Sequence, residues 1–270
     1  GIIYLTLKNN VISSELIRLL PEHSSQWEKL KNKNIFITGG TGLFGRWLSE
    51  AIHIGNEIYN LNITATLLTR NIEQSKKRFA FLKDQNKINF IQGDVKNINL
   101  MGKSFDYIVH GATTSAEETY HHENATEKFF TLVEGTTNIL KNSISIKPQK
   151  ILFLSSGVVY GPLKNSRNAL HESYDSSPLT SSYESGLAQA KRAAEFLFTA
   201  YRKEYDLNII IARCFAFSGP YLPLNLHYAL GNFVYQAINT NEIIIRVMII
   251  INCNNCESNS SILTLSINLI

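Results

Sequence analysis

The chain has 270 residues, of which 44% are hydrophobic and 18% are charged, and its formal net charge at pH 7 is +4. This length accommodates one large or two modest globular domains, and the hydrophobic fraction is ordinary for a folded protein. The charge is mild and forms no long basic run, so no nucleic-acid partner is indicated. The apolar run at 243–251 is too short to span a bilayer, so no membrane partner is expected either.

The cysteine content and the N terminus bear on the compartment. Cys214, Cys253 and Cys256 do not form a disulfide framework, which favours a reducing cytoplasm. The last two have C-x-x-C spacing, but without a second pair or histidines we predict no metal site. The first residues lack a basic flank and a cleavage site, so no signal peptide is expected.

From residue 34 onward, short apolar or β-branched runs alternate with helical patterns. Residues 1–33 are predicted to form an N-terminal helical extension, which Trp27 and Leu30 are expected to pack onto the domain. Alternation of this kind predicts an α/β protein with a doubly wound parallel sheet. The predicted strands are 34–38, 63–69, 87–91, 105–110, 149–155 and 207–213, and the predicted helices are 43–55, 72–83, 123–142 and 186–205.

A glycine-rich segment, residues 38–45, joins the first predicted strand to the first predicted helix. Gly39 permits a tight turn, Gly42 lets backbone approach a pyrophosphate, and Gly45 lets the helix pack close to the strand. The helix N-terminus then offers amide donors and a positive dipole to the phosphates. The strand-turn-helix context makes this a dinucleotide site rather than a simple turn. The residues expected at the cofactor are Gly39, Thr41, Gly42, Leu43, Phe44 and Gly45.

The ends of the second and third predicted strands carry further cofactor candidates. An acidic residue after the second strand would bind the ribose hydroxyls of NAD, whereas Arg70 suits the 2′-phosphate of NADP. We therefore favour NADP over NAD, although a solvated arginine at a strand end is common. Asp94, followed by Val95, could accept a hydrogen bond from the adenine amino group, but aspartate also caps turns.

The fourth predicted strand is followed by small residues. Gly111, Ala112 and Thr113 would let backbone lie along the cofactor at the carboxyl edge of the sheet, where such ligands bind. The preceding His110 is interpreted as a packed histidine rather than a catalyst, because the sequence offers no recognisable partner.

The fifth predicted strand leads into Ser-Ser-Gly-Val-Val-Tyr-Gly at 155–161. With the glycine turn, this stretch resembles the extended short-chain dehydrogenase/reductase family, the NAD-dependent epimerases and dehydratases acting on nucleotide sugars. The resemblance runs from about residue 27 to 245 and includes Lys-Arg-Ala-Ala-Glu at 191–195 and the segment 213–224. It implies a Rossmann domain, NADP or NAD as cofactor, a nucleotide-sugar substrate, and hydride transfer from sugar C4 to the nicotinamide.

The resemblance also implies the catalytic residues. Ser156 would orient the sugar hydroxyl, and Lys191 would hold the nicotinamide ribose and lower the pKa of a tyrosine base. In the family that tyrosine stands four residues before the lysine, but Leu187 occupies this position. Tyr183 stands eight before it, about 12 Å along a helix rather than about 6 Å. Tyr183 can serve only if residues 183–186 depart from helix and fold back toward the lysine. An inactive dinucleotide-binding protein is therefore the alternative to an enzyme.

A second departure from the family lies at the C-terminal end. We expect a dinucleotide-binding domain at 34–215 and a partial, truncated substrate domain at 216–245. Residues 246–270 do not fit the family pattern, and a frameshift and intrinsic disorder are both open explanations.

Two further expectations follow from the resemblance. The dehydratase branch needs an acid-base pair next to Ser156, where this chain has Gly157 and Val158, so we favour an epimerase or keto-reductase over a 4,6-dehydratase. Family members often pair through the two long helices, here near 123–142 and 186–205, so a homodimer is expected.

Overall fold

The structure is a computed structural model. It describes residues 11–80, 82, 87–113, 124–162, 171–174, 176–217, 219–222, 224, 229–239, 242–250 and 260–268. The helices are α1 (Val11–Leu19), α2 (Ser24–Glu28), α3 (Leu43–Tyr59), α4 (Ile72–Arg78), α5 (Ala125–Ile146), α6 (Gly186–Tyr205) and α7 (Ala229–Asn239). The strands are β1 (Asn34–Thr38), β2 (Thr64–Thr69), β3 (Ile88–Gln92), β4 (Tyr107–His110), β5 (Lys150–Ser156), β6 (Ile209–Cys214), β7 (Glu242–Ile250) and β8 (Ser260–Asn268). In these ranges, no helix has the length and apolar character needed to cross a membrane.

Six of the strands form one parallel sheet in the order β3-β2-β1-β4-β5-β6. The chain winds outward from β1 through β2 to β3, and then returns to the other side of β1 with β4. The carboxyl ends of β1 and β4 therefore border the point where the winding direction reverses, the usual ligand crevice of such sheets. The predicted doubly wound α/β fold is confirmed.

The sheet is covered on both faces because side chains alternate along each strand. Phe36 of β1 enters one core with Phe153 of β5 and Phe198 of α6. Its neighbours Ile35 and Ile37 enter the opposite core, which also contains Ile52, Phe79 and partly buried Trp27 and Leu30. The predicted packing of the N-terminal extension through Trp27 and Leu30 is thus confirmed.

Two side-chain caps set helix starts that flank the sheet. Asn71 accepts a hydrogen bond from the Gln74 amide at 2.9 Å before α4, and Asn124 accepts one from the Glu127 amide at 2.6 Å before α5. These caps satisfy amides that have no partner within the helix. The turns at Gly157–Tyr160 and Tyr183–Ser185 are short 3₁₀ helices on the β5 and α6 sides of the site.

The chain divides into two compact units, residues 1–115 with 122–216 and residues 116–121 with 217–270. The first holds the parallel sheet. In the second, the structure describes α7 and an antiparallel hairpin of β7 and β8, in which Glu242 pairs with Asn268 and Ile250 with Ser260.

Candidate functional site

The glycine turn between β1 and α3 is shaped by two glycines and left open at a third. Gly39 has φ of +69°, and a Cβ there would overlap the backbone of Gly111. A Cβ at Gly45 would overlap the backbone of Gly40, so the first turn of α3 packs directly on the glycine turn. At Gly42, by contrast, a Cβ would meet only the Gly39 carbonyl oxygen at 3.4 Å, an ordinary contact.

This turn fits the pyrophosphate of a dinucleotide. Gly42 is the exposed N-cap residue of the 17-residue helix α3, so the unfilled space beside it faces amide donors and the positive end of the helix dipole. Leu43 and Phe44 open the helix and Thr41 lies in the turn. Phe44 is 39% exposed although it is aromatic.

The candidates after β2 and β3 differ in their surroundings. Arg70 is exposed directly after β2. Asp94 accepts a hydrogen bond from the Lys96 amide at 2.8 Å, so its carboxylate caps the turn after β3, as the simpler interpretation expected. Val95 is half-buried against Gly135 of α5.

His110 lies in a buried hydrogen-bond chain at the end of β4. Its Nδ1 is 2.8 Å from the Thr38 hydroxyl, and its Nε2 is 3.1 Å from the Thr136 hydroxyl. Thr38 also accepts a hydrogen bond from the Ala112 amide at 3.1 Å. Burial, with a smaller contribution from the charge of Lys191, lowers the pKa of His110 to about 3. His110 is therefore a neutral, packed residue.

The hydrogen bonds around His110 fix the segment that was predicted to lie along the cofactor. They connect the backbone amide of Ala112, which lies between Gly111 and Thr113, to the Thr38 hydroxyl at the end of β1. Sequence reasoning missed Thr38 and Thr136, because their only local signal is a hydroxyl at a strand end or in a helix.

Ser156 ends β5 and caps the following 3₁₀ turn. Its Oγ accepts a hydrogen bond from the Val158 amide at 3.3 Å, and its backbone lies opposite Cys214 in the sheet. A hydroxyl that accepts in this way can still donate its own proton to a ligand. The geometry therefore suits the orientation of a substrate oxygen.

Lys191 of α6 carries a buried ammonium group beside the end of β5. Its Nζ donates to the Leu154 carbonyl at 2.7 Å and lies 4.9 Å from the centre of the Phe153 ring. Burial lowers its pKa to about 8, while interactions with Cys214 and Glu195 oppose this shift. The ammonium form still predominates at neutral pH.

Tyr183 and Lys191, paired by sequence reasoning, make separate contacts. Tyr183 lies in the 3₁₀ turn before α6, is 67% exposed, and accepts a hydrogen bond from the Ala125 amide at 3.2 Å. Residues 183–185 thus depart from α-helix, and Leu187 occupies the position one turn before Lys191.

A further polar cluster was missed from the sequence. Glu195 contacts Ser155 and Arg213, and Arg213 contacts Tyr160. Glu195 belongs to the recognised segment 191–195, but its partners lie 40 and 18 residues away in the chain. No local pattern could identify them.

Comparison with known proteins identifies the family of this chain. The sequence profile of the NAD dependent epimerase/dehydratase family matches residues 35–244. UDP-glucuronic acid decarboxylase 3 of Arabidopsis thaliana is 28% identical over 208 residues, which cover 77% of this chain and 57% of that protein. UDP-glucuronic acid decarboxylase 1 of Xenopus tropicalis is 26% identical, over 78% of this chain and 47% of that protein. The chain thus spans about half to three-fifths of these curated relatives.

Solved structures share the fold. UDP-glucuronic acid 4-epimerase from Bacillus cereus, in complex with UDP-glucuronic acid and NAD, aligns with a TM-score of 0.62 and 21% identity over 76% of this chain and 63% of that chain. dTDP-glucose 4,6-dehydratase DesIV from Streptomyces venezuelae, with NAD bound, aligns with a TM-score of 0.62 and 22% identity, covering 76% and 62%. At these identities the likeness concerns the fold.

Proposed function

Because the chain belongs to the NAD-dependent epimerase/dehydratase family, we propose that it binds a nicotinamide dinucleotide and oxidises C4 of a nucleotide-activated sugar. One observation carries the proposal: the open glycine turn, Ser156 and the buried ammonium of Lys191 all lie at the carboxyl edge of one parallel sheet. Ligands of doubly wound sheets bind at this edge.

Each side chain has a role in this proposal. The turn at Gly42 and the start of α3 hold the pyrophosphate, and Lys191 donates to the nicotinamide ribose. Ser156 donates to the sugar C4 oxygen and so orients the hydroxyl that loses its proton. When bound, the nicotinamide supplies the acceptor for the C4 hydride. Burial of Lys191 excludes water from the ammonium and strengthens its interactions.

Oxidation at C4 also needs a residue that accepts the hydroxyl proton. Tyr183 is the candidate base: its phenolic oxygen accepts a hydrogen bond from the Ala125 amide and retains a lone pair and a proton for exchange with substrate. The alternative function is an inactive dinucleotide-binding protein. One observation favours it: Leu187, which cannot transfer a proton, stands one turn before Lys191.

Residue 157 favours an epimerase or keto-reductase over a dehydratase, because glycine stands where the dehydratase branch places an acidic side chain. A Cβ at this position would come within 2.9 Å of the exposed Phe215 ring, so this ring would have to move to admit a side chain. The names of the relatives make UDP-glucuronic acid the first substrate to test. Oxidation at its C4 places a ketone β to the C6 carboxylate, which permits decarboxylation as well as epimerisation.

Arg70 supports NADP over NAD as the preferred cofactor. It is exposed at the end of β2, where its guanidinium could meet a 2′-phosphate. The preference is measured as the ratio of the two dissociation constants. Arg70→Asp should reverse it if the proposal holds, whereas an unchanged ratio would contradict it.

A homodimer through α5 and α6 completes the proposal. The two helices pack on each other, yet Phe130 of α5 is 50% exposed and Phe196 of α6 is 71% exposed. These two exposed aromatic side chains are the candidate anchors of the contact between the two copies.

We also assign the protein to the cytoplasm, on its cysteine content, with no nucleic-acid or membrane partner.

The function is tested by incubating the protein with NAD or NADP and UDP-glucuronic acid, followed by NMR analysis of the nucleotide sugars. We expect conversion by the wild type and none by Lys191→Met. Cofactor binding without conversion of any nucleotide sugar in a panel would favour the inactive binder. Binding of neither cofactor would refute both functions.

A further inference from the structure

Glu195 joins three elements that meet beside Lys191. One carboxylate oxygen accepts from the Ser155 hydroxyl at 2.5 Å and from Nε of Arg213 at 3.1 Å. The other accepts from a terminal nitrogen of Arg213 at 2.8 Å. The Glu195 side chain is only 12% exposed. A paired arrangement of this kind is geometrically specific and strong.

Arg213 extends the cluster to the turn after β5. Its other terminal nitrogen donates to the Tyr160 hydroxyl and to the Glu172 carbonyl, both at 2.9 Å. The guanidinium carbon also lies 4.8 Å from the centre of the Tyr160 ring. The hydrogen bonds that Arg213 donates to Glu195 hold the pKa of Arg213 above its ordinary value, so the guanidinium stays charged.

The cluster of Glu195, Ser155 and Arg213 lies directly beside the residues of the proposed site. Ser155 and Arg213 are opposite each other in the sheet and directly precede Ser156 and Cys214. Glu195 lies one helical turn after Lys191, whose ammonium bonds the carbonyl of Leu154, the residue before Ser155. Successive turns of α6 therefore attach to successive residues of β5.

We infer that Glu195 is a positioning residue: through Ser155 and Arg213 it holds α6 in register with β5 and so fixes the ammonium of Lys191 beside Ser156. This inference rests on the proposed function, which gives Lys191 and Ser156 their roles. It adds Glu195 to the proposed site as an acidic residue that affects both the position and the pKa of Lys191.

Electrostatics supports the same inference. The titratable groups near Lys191 are His110 on β4, Cys214 on β6 and Glu195 on its own helix. His110 is neutral at physiological pH, and burial raises the pKa of the Cys214 thiol. Interactions with Cys214 and with Glu195 both oppose the lowering of the Lys191 pKa, and Glu195 is the carboxylate among these groups.

The test compares Glu195→Gln with Glu204→Gln, the same change on an exposed part of α6. The Lys191 pKa is measured by NMR of the lysine side chain without cofactor, and the dissociation constant of NADP is measured from pH 6 to 9. We expect Glu195→Gln to lower the Lys191 pKa by about one unit. The charged fraction of Lys191 at pH 8 then falls from about one half to about one tenth, so NADP binding should weaken about fivefold at that pH. Glu204→Gln should leave both unchanged.

Loss of thermal stability in Glu195→Gln with the wild-type Lys191 pKa and wild-type NADP affinity would overturn the inference. If this variant does not fold, Glu195→Asp and Ser155→Ala replace it, because each removes part of the contact set and keeps the charge. Both should weaken NADP binding severalfold with little change in the Lys191 pKa, and unchanged binding would overturn the inference. Failure of the wild type to bind cofactor would instead refute the proposed function, while the lysine titration would still decide the electrostatic role of Glu195.

Discussion

Two glycines three residues apart should respond in opposite ways to the same added methyl group. In Gly42→Ala the new Cβ makes only an ordinary contact, 3.4 Å from the Gly39 carbonyl oxygen, and φ of −80° with ψ of −173° is accessible to alanine. The cost to folding is the weaker N-cap preference of alanine, about 1 kcal/mol or less. The cost to cofactor binding is larger, because the methyl group enters the space proposed for the pyrophosphate.

Gly45→Ala should fail in the other way. Its Cβ would overlap backbone atoms of Gly40, which cannot rotate aside as a side chain can. Overpacking costs about 1–3 kcal/mol, and the gain of about 1 kcal/mol in helix propensity offsets part of it. Since the overlap is with backbone, we expect the overpacking cost to lie at the upper end of that range, so the free energy of unfolding should fall by about 2 kcal/mol in total. For a domain of this size the melting temperature should fall by about 4–8 °C.

The assay measures both quantities on each variant: the free energy of unfolding from urea titration, and the affinity for NADP and NAD from calorimetry. Gly42→Ala should fold like the wild type and bind at least about tenfold more weakly, a difference of about 1.4 kcal/mol. Gly42→Val should abolish binding. The reasoning is refuted if Gly42→Val binds like the wild type, or if Gly45→Ala is as stable as the wild type.

The remaining predictions concern Lys191, the base and the interface. Between the Lys191 pKa of about 8 and its ordinary value of 10.5, the unfolded chain holds a proton that the folded chain has lost. The free energy of unfolding should therefore rise with pH across this window by up to about 3 kcal/mol relative to Lys191→Met, and parallel curves from urea titration would contradict this. Tyr183→Phe should abolish sugar conversion at unchanged cofactor affinity, and full activity would exclude Tyr183 as the base. If the wild type is inactive, Leu187→Tyr should create measurable conversion, because it places a phenol one turn before Lys191. Phe196→Glu should convert the dimer to a monomer in light scattering after gel filtration, and an unchanged mass would show that α6 is not the interface.

Local patterns predicted the fold well because each strand and helix is specified by neighbouring residues. The predicted strand at 105–110 begins only at Tyr107, since Phe105 is buried in the core ahead of the ladder and the Asp106 side chain accepts the Asn34 amide. The predicted helix at 72–83 ends at Arg78, and Phe79 is fully buried in a turn.

The site was predictable only where its chemistry is local. The glycine turn and Ser156 stand in short motifs, so their positions at the sheet edge followed from the strand order. The His110 chain joins residues 72 and 26 positions apart, and the bond between Ser155 and Glu195 spans 40. Such contacts depend on which strands and helices become neighbours. For Tyr183, the separation along the helix could be estimated, but its actual partner on α5 could not.

Equilibrium binding of NADP and NAD to the wild-type chain tests the central claim most directly. We predict saturable binding at one site per chain, because the open turn at Gly42 and the ammonium of Lys191 face the same sheet edge. NADP should bind more tightly than NAD, because Arg70 is exposed at the end of β2. Absence of binding for both dinucleotides at millimolar concentration would contradict the claim and with it the proposed function.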